Sequence, residues 1–161
     1  MKRLALVVLM VACTKAPAVP PPAAAAAAAE AQPGPRVTLP DGYAVHVEIA
    51  ADDETRSTGL MYRDQLRPAS GMIFIFPRDD EYAFWMKNTL IPLDMIWIDA
   101  NRKIVHVKHD VPPCKVENCP SYPPNVPSRY VLELAAGVAA QHGLKAGDVL
   151  RFEGLDNVVV K

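Results

Sequence analysis

Residues 56–99 read RSTGLMYRDQLRPASGMIFIFPRDDEYAFWMKNTLIPLDMIWID, a span dominated by short apolar runs between charged turns. Residues 71–76 and 82–86 are apolar and are split by Pro77-Arg78-Asp79-Asp80-Glu81, which predicts a hairpin. Residues 93–98 and 103–107 flank Asp99-Ala100-Asn101-Arg102 and predict a second hairpin. Working outward, Val45, Val47 and Ile49 alternate with His46 and Glu48, the pattern of a half-buried strand over residues 43–50. The turn Pro40-Asp41-Gly42 pairs that strand with residues 37–39. Asp52 or Asp53 is placed to cap a short helix running through Thr58, with Gly59 free to take the positive φ that ends it. Towards the C-terminus the pattern predicts a strand at 130–134, a short helix at 135–142 stopped by Gly143, and a last strand at 149–152. A further strand is expected at 158–160. Many short strands with two short helices imply an α+β domain built on an antiparallel, barrel-like sheet.

Several local signatures recur in one order along this core: Gly59-Leu60-Met61, Gly71-Met72-Ile73-Phe74, Phe84-Trp85-Met86-Lys87-Asn88-Thr89 and Ile91-Pro92-Leu93-Asp94. Tyr130-Val131-Leu132-Glu133-Leu134 and Gly143-Leu144-Lys145-Ala146-Gly147-Asp148 follow. In order and spacing they resemble the DUF192 family, a group named for its unknown function. The resemblance runs through the domain to the C-terminal elements. It implies a fold, and no reaction.

The segment Phe84-Trp85-Met86-Lys87-Asn88-Thr89 carries large apolar side chains straight into a cationic, amide-bearing turn. Lys87 supplies a point charge for a carboxylate or phosphate, Asn88 both donates and accepts, and Trp85 offers a flat wall with one N–H. The plainer alternative makes Trp85 core, Lys87 solvated, and Asn88 and Thr89 a turn. Asp94 lies between apolar neighbours, where an unpaired charge is costly, so it needs a partner; Lys87 or Arg56 is the expected one. Arg56 and Arg63 bracket Gly59-Leu60-Met61 and are candidates for an anion-binding fork. The ligand-binding candidates are thus Arg56, Arg63, Trp85, Lys87, Asn88 and Asp94. Glu133 alternates with Leu132 and Leu134, and is expected to face outward.

The first residues follow the grammar of an exported protein. Lys2-Arg3 precede an apolar run over residues 4–11, and Ala12 stands before Cys13. The run is far shorter than the ~20 apolar residues of a membrane span. Residues 1–12 are expected to be a lipoprotein signal, with lipidation at Cys13, although Met10 departs from the usual leucine of the bacterial lipobox. An ordinary cleaved signal is the alternative. Residues 13–35 are rich in Ala and Pro and too poor in apolar bulk to repay ordering, so they read as a tether. Residues 36–161, roughly 125 in number, suit one domain. The expected location is the cell envelope facing the periplasm. Thr14, rather than an aspartate, favours the outer membrane.

Of three cysteines, assigning Cys13 to lipid leaves Cys114 and Cys119 in PPCKVENCPSYPP. In an oxidising compartment a disulfide is the default product. Zinc held by the two with His106 or His109, and free thiols, are the alternatives. The expectation is no metal and no cofactor. The net charge of -1 and pI near 6.4 argue against a nucleic-acid partner. No nucleophile elbow, phosphate loop, paired-histidine zinc motif or dinucleotide glycine pattern occurs. The leading expectation is a membrane-anchored domain that binds a small polar or anionic ligand. A hydrolase with Asp94 or His106 as general base is one alternative. An envelope assembly protein using the loop at residues 112–127 is the other.

Overall fold

The computed structural model describes residues 34–161. The signal at 1–12, the lipid on Cys13 and nearly all of the 13–35 tether lie outside them. In chain order the elements are β1 (Arg36–Thr38), β2 (Ala44–Ala50), α1 (Asp53–Thr58), β3 (Ser70–Asp80), β4 (Phe84–Trp85) and β5 (Leu93–Ile98). They continue with β6 (Ile104–Val111), β7 (Ser121–Tyr122), β8 (Ser128–Ala135), α2 (Val138–Gln141) and β9 (Arg151–Glu153).

Seven strands form one sheet in the order β6-β5-β8-β3-β2-β1-β9, while β4 and β7 form a separate two-stranded ribbon. The result is an α+β fold built on a curled, half-barrel sheet rich in antiparallel pairs. The exception is β2 with β3, which run parallel, Val47 opposite Gly71 and Ile49 opposite Ile73. Parallel neighbours need a crossover, and the chain supplies it through α1. The sheet curls until its two edge regions touch. Lys103 pairs with Val149, and the Ile104 and Leu150 N–H groups donate to the carbonyls of Asp148 and Arg102 at 2.8 and 2.9 Å.

Alternation sorts the strands into two buried faces. Ile73 and Ile75, Ile96 and Ile98, and Leu132 and Leu134 join Val37, Val45, Ile104 and Phe152 on an inner face to which all seven strands contribute. Met72 and Phe74, Met95 and Trp97, and Val131 point the other way and pack against Leu60, Met86 and Cys114 from the covering loops. Both sides of β3, β5 and β8 are therefore dry. That explains why their sequences read as nearly continuous apolar runs.

The short helix forms as its sequence suggests. The Asp52 carboxylate accepts the Thr55 N–H at 2.8 Å, and Thr55 Oγ1 accepts the Asp52 N–H at 3.2 Å, a reciprocal cap. Gly59 ends it at φ 47°. The hairpin of 93–98 with 103–107 is present as β5 and β6. The expected hairpin of 71–76 with 82–86 is not. β3 continues through Pro77 to Asp80, and both its edges are occupied, by β2 and β8, so β4 pairs with β7 instead. The helix expected over 135–142 shortens to Val138–Gln141, because β8 runs to Ala135 and Gly137 breaks direction at φ 88°. Residues 158–160 form no strand, although Val158 and Val160 pack on the inner core.

Candidate functional site

The ribbon of β4 and β7 lies over the outer face of the sheet. Within it Phe84 and Met86 turn inward: Met86 is fully buried, and the Phe84 ring meets Phe74 edge-on at 4.8 Å and Trp97 at 6.0 Å. Trp85, between them, is forced outward and is 53% exposed. It is not a core residue. The next residues are tied down by their neighbours. Lys87 pairs with Cys114, whose N–H donates to the Met86 carbonyl at 3.3 Å. Cys114 and Cys119 are joined in a disulfide, and Lys87 Nζ donates to the Glu117 carbonyl inside that loop at 2.8 Å. Asn88, at φ 55°, donates to the Tyr62 hydroxyl at 2.9 Å and accepts the Tyr62 N–H on its carbonyl at 2.8 Å. Thus the Gly59-Leu60-Met61 turn, the Lys87-Asn88 turn and the disulfide loop brace one another.

Beside the first two of these turns, a cleft of about 30 Å³ opens between α1, β4 and β8. Arg56, Ser57, Met61, Phe84, Trp85, Lys87 and Thr89 line its walls, and Glu133 closes it from the sheet. Glu133 is only 4% exposed and sits between its cross-strand neighbours Met72 and Met95. Burial alone pushes its carboxyl up to about 8. At neutral pH it is a neutral acid, with an O–H to donate and a carbonyl oxygen to accept. The expectation of an outward-facing, solvated Glu133 is therefore corrected. Alternation put it on the right face, but that face is roofed by α1 and the β4 ribbon. The signal was available: a carboxyl inside the apolar run Val131-Leu132-Glu133-Leu134 raises the same question as Asp94.

The structure brings Arg56, Trp85 and Lys87 to one cleft and separates the rest. Arg56 is mostly committed: its guanidinium donates to the Ile75 carbonyl at 3.0 Å, to Asp53 at 2.7 Å and to the Lys161 carbonyl, and lies over the Phe76 ring. Arg63 turns away and grips both oxygens of Glu48 at 3.0 and 2.7 Å, beside a shallow groove of about 520 Å³ that also holds His46 and Arg67. The two arginines make no fork. Asn88 braces the turn at the rim. Asp94 sits fully buried on the inner side of β5, and neither Lys87 nor Arg56 is its partner. Its carboxylate accepts the backbone N–H groups of Asp110 at 2.9 Å and Ala139 at 2.8 Å. His106 packs beside Trp97 at 5.3 Å, where burial and then Lys108 lower its pKa; it does not line the cleft.

Residues 36–152 match the DUF192 family, described as an uncharacterized ACR. The chain belongs to the DUF192 family. Among relatives, a UPF0127 protein of Thermococcus gammatolerans is 27% identical over 113 residues, covering 67% of each chain. Two crystal structures share the DUF192 fold of this chain. A candidate transcription regulator from Sinorhizobium meliloti 1021 is 36% identical with a TM-score of 0.65, over 75% of this chain and 93% of its own. A protein of unknown function from Novosphingobium aromaticivorans DSM 12444 is 33% identical with a TM-score of 0.66, over 73% and 82%. Family membership therefore brings the DUF192 architecture without bringing a reaction.

Proposed function

We propose that this protein is an exported, lipid-anchored DUF192 domain that binds a small polar or anionic ligand, and that the cleft over Glu133 is the binding site. The observation that carries the site is Glu133 itself. A buried carboxyl with no charge or hydrogen bond to offset its desolvation is costly, and such a group calls for an explanation in function. Trp85 contributes an exposed aromatic wall beside it, and Lys87 a positive charge. Support for the anchor comes from Lys2-Arg3, the apolar run and Ala12-Cys13, and the disulfide fits an oxidising compartment such as the periplasm.

The hydrolase alternative is weaker, because Asp94 and His106, its two candidate bases, lie outside the cleft that holds Lys87. Transcriptional control is not carried over from the Sinorhizobium relative. Among the described residues the helices span six and four residues, too short for a recognition helix in a major groove, and the net charge is -1. The assembly alternative has one observation in its favour. Tyr62, Trp85, Leu90 and Val116, at 69%, 53%, 42% and 63% exposure, all belong to the segments around the Lys87 turn.

The test is to release the full chain from a bacterial envelope without denaturation and weigh it by native mass spectrometry. A bound organic mass that disappears in Lys87→Ala and Trp85→Ala supports the ligand site. A mass that persists in both variants places the ligand elsewhere, and a bare chain in every case favours the assembly reading.

A further inference from the structure

The chemistry lining the cleft narrows the ligand. Its polar walls come from Arg56, Ser57, Lys87 and Thr89, all of which can donate hydrogen bonds, and its only carboxyl is Glu133. Of the elements packed against Glu133, α1 brings Arg56, already paired with the exposed Asp53 on the same helix, which also carries Glu54; the β4 turn brings Lys87, and β3 and β5 bring Met72 and Met95. With Glu133 neutral and the Arg56 charge answered by Asp53, Lys87 is the lining cation with no carboxylate partner among the described residues. An ammonium ligand would be repelled there. Lys87 spends one of its three N–H donors on the Glu117 carbonyl and keeps two. The space, about 30 Å³, exceeds what one water needs and admits no more than the head of a small ligand, whose body must lie outside it.

Resting on the cleft being the binding site, we infer that it holds the carboxylate of a small organic acid together with a proton on Glu133, which donates one hydrogen bond while Lys87 supplies the counter-charge. The body of the acid then lies against Trp85 and Phe84, so an apolar or aromatic body is favoured. Two carboxyl groups at one site share a single proton: the ligand arrives ionised, and the protein provides the acid. Binding and protonation are accordingly linked. Ionising Glu133 would set two negative charges against each other in a dry site.

The experiment uses the full chain labelled with ¹⁵N, titrated with sodium benzoate and, separately, with benzylamine, while the Trp85 indole N–H is followed by NMR. Benzoate is expected to bind about ten-fold more weakly at pH 9 than at pH 7, given a Glu133 carboxyl near 8. Calorimetry at pH 9 in two buffers of different ionisation enthalpy is expected to report uptake of about one proton per benzoate. In Glu133→Gln the ratio of affinities at the two pH values should collapse towards one. Benzoate binding that ignores pH, or whose pH dependence survives Glu133→Gln, overturns the shared proton. Benzylamine shifting Trp85 where benzoate does not overturns the carboxylate and leaves the site standing. If neither probe moves Trp85 at either pH, the inference and the site both fall.

Discussion

Asp94 and Ala139, 45 residues apart in sequence, are joined by a 2.8 Å hydrogen bond from the Ala139 N–H to the Asp94 carboxylate. The other carboxylate oxygen takes the Asp110 N–H at 2.9 Å, so one side chain ties β5 to the end of β6 and to α2. Removing it strands two backbone donors. Asp94→Ala should cost about 2–3 kcal/mol in urea denaturation, because the buried Ala139 N–H, and in part the Asp110 N–H, would lose a partner without regaining full solvation. It should leave ligand capture at the Trp85 cleft intact in whatever fraction remains folded. Lost capture with unchanged stability would contradict the structural role assigned here.

Glu133 makes stability depend on pH. Its carboxyl rises from 4.5 unfolded to about 8 folded, so between those values the native state holds the extra proton. Stability is then fully present below pH 4.5 and declines as pH rises, levelling out above about 8. The decline attributable to this group is up to about 5 kcal/mol. Denaturation midpoints of the parent and of Glu133→Gln, compared from pH 5 to pH 9, should show the slope flattening in the variant.

Gly71 leaves no room for a side chain. A Cβ there would run into the Glu133 carbonyl oxygen and stand 2.8 Å from Leu134 Cδ2, on the strand that carries the buried acid. Because the obstacle is backbone in a central strand, Gly71→Ala should destabilise by roughly 1–3 kcal/mol. Thermal melting would register it, and an unshifted Tm would mean that β3 and β8 are not packed this closely.

The bridge between Cys114 and Cys119 closes a loop with a sequence separation of 5, which on chain entropy stabilises by only about 2 kcal/mol. Reduction by a dithiol should therefore lower the Tm modestly. Its larger effect should be local, since the Glu117 carbonyl held by Lys87 lies inside the loop. Hydrogen exchange should quicken at Cys114 and Lys87 while Ile96 and Leu132 in the central sheet keep their protection. Equal loosening of both would contradict this division.

Residues whose behaviour depends on nearby chain were legible. The cap of Asp52 on Thr55, the β5–β6 hairpin and the outward or inward alternation of β2 all follow from spacing of a few residues. Facts set by distant chain were not. Nothing local says that β3 has both edges occupied, so an apolar run followed by a charged turn reads as a hairpin. The partners of Asp94 are backbone groups, which composition does not reveal. Glu133 was misjudged for the same reason: alternation decides its face, and only tertiary packing decides whether that face meets water. In the candidate cleft, Trp85 and Lys87 could be picked out by residue type, whereas the acid beneath them could not.

The contact between Lys103 and Val149 bears on how copies of the domain behave in company. An open sheet offers a rim at each end onto which another chain can add a strand. Here the two rims lean on each other at one corner and use up part of each other's free hydrogen bonds. Beyond that corner β6 presents Lys108, His109 and Asp110 to solvent, and the chain kinks at Asp110 with φ 50°. A neighbouring copy meets charge and a bend where polymerisation would need a straight, apolar border.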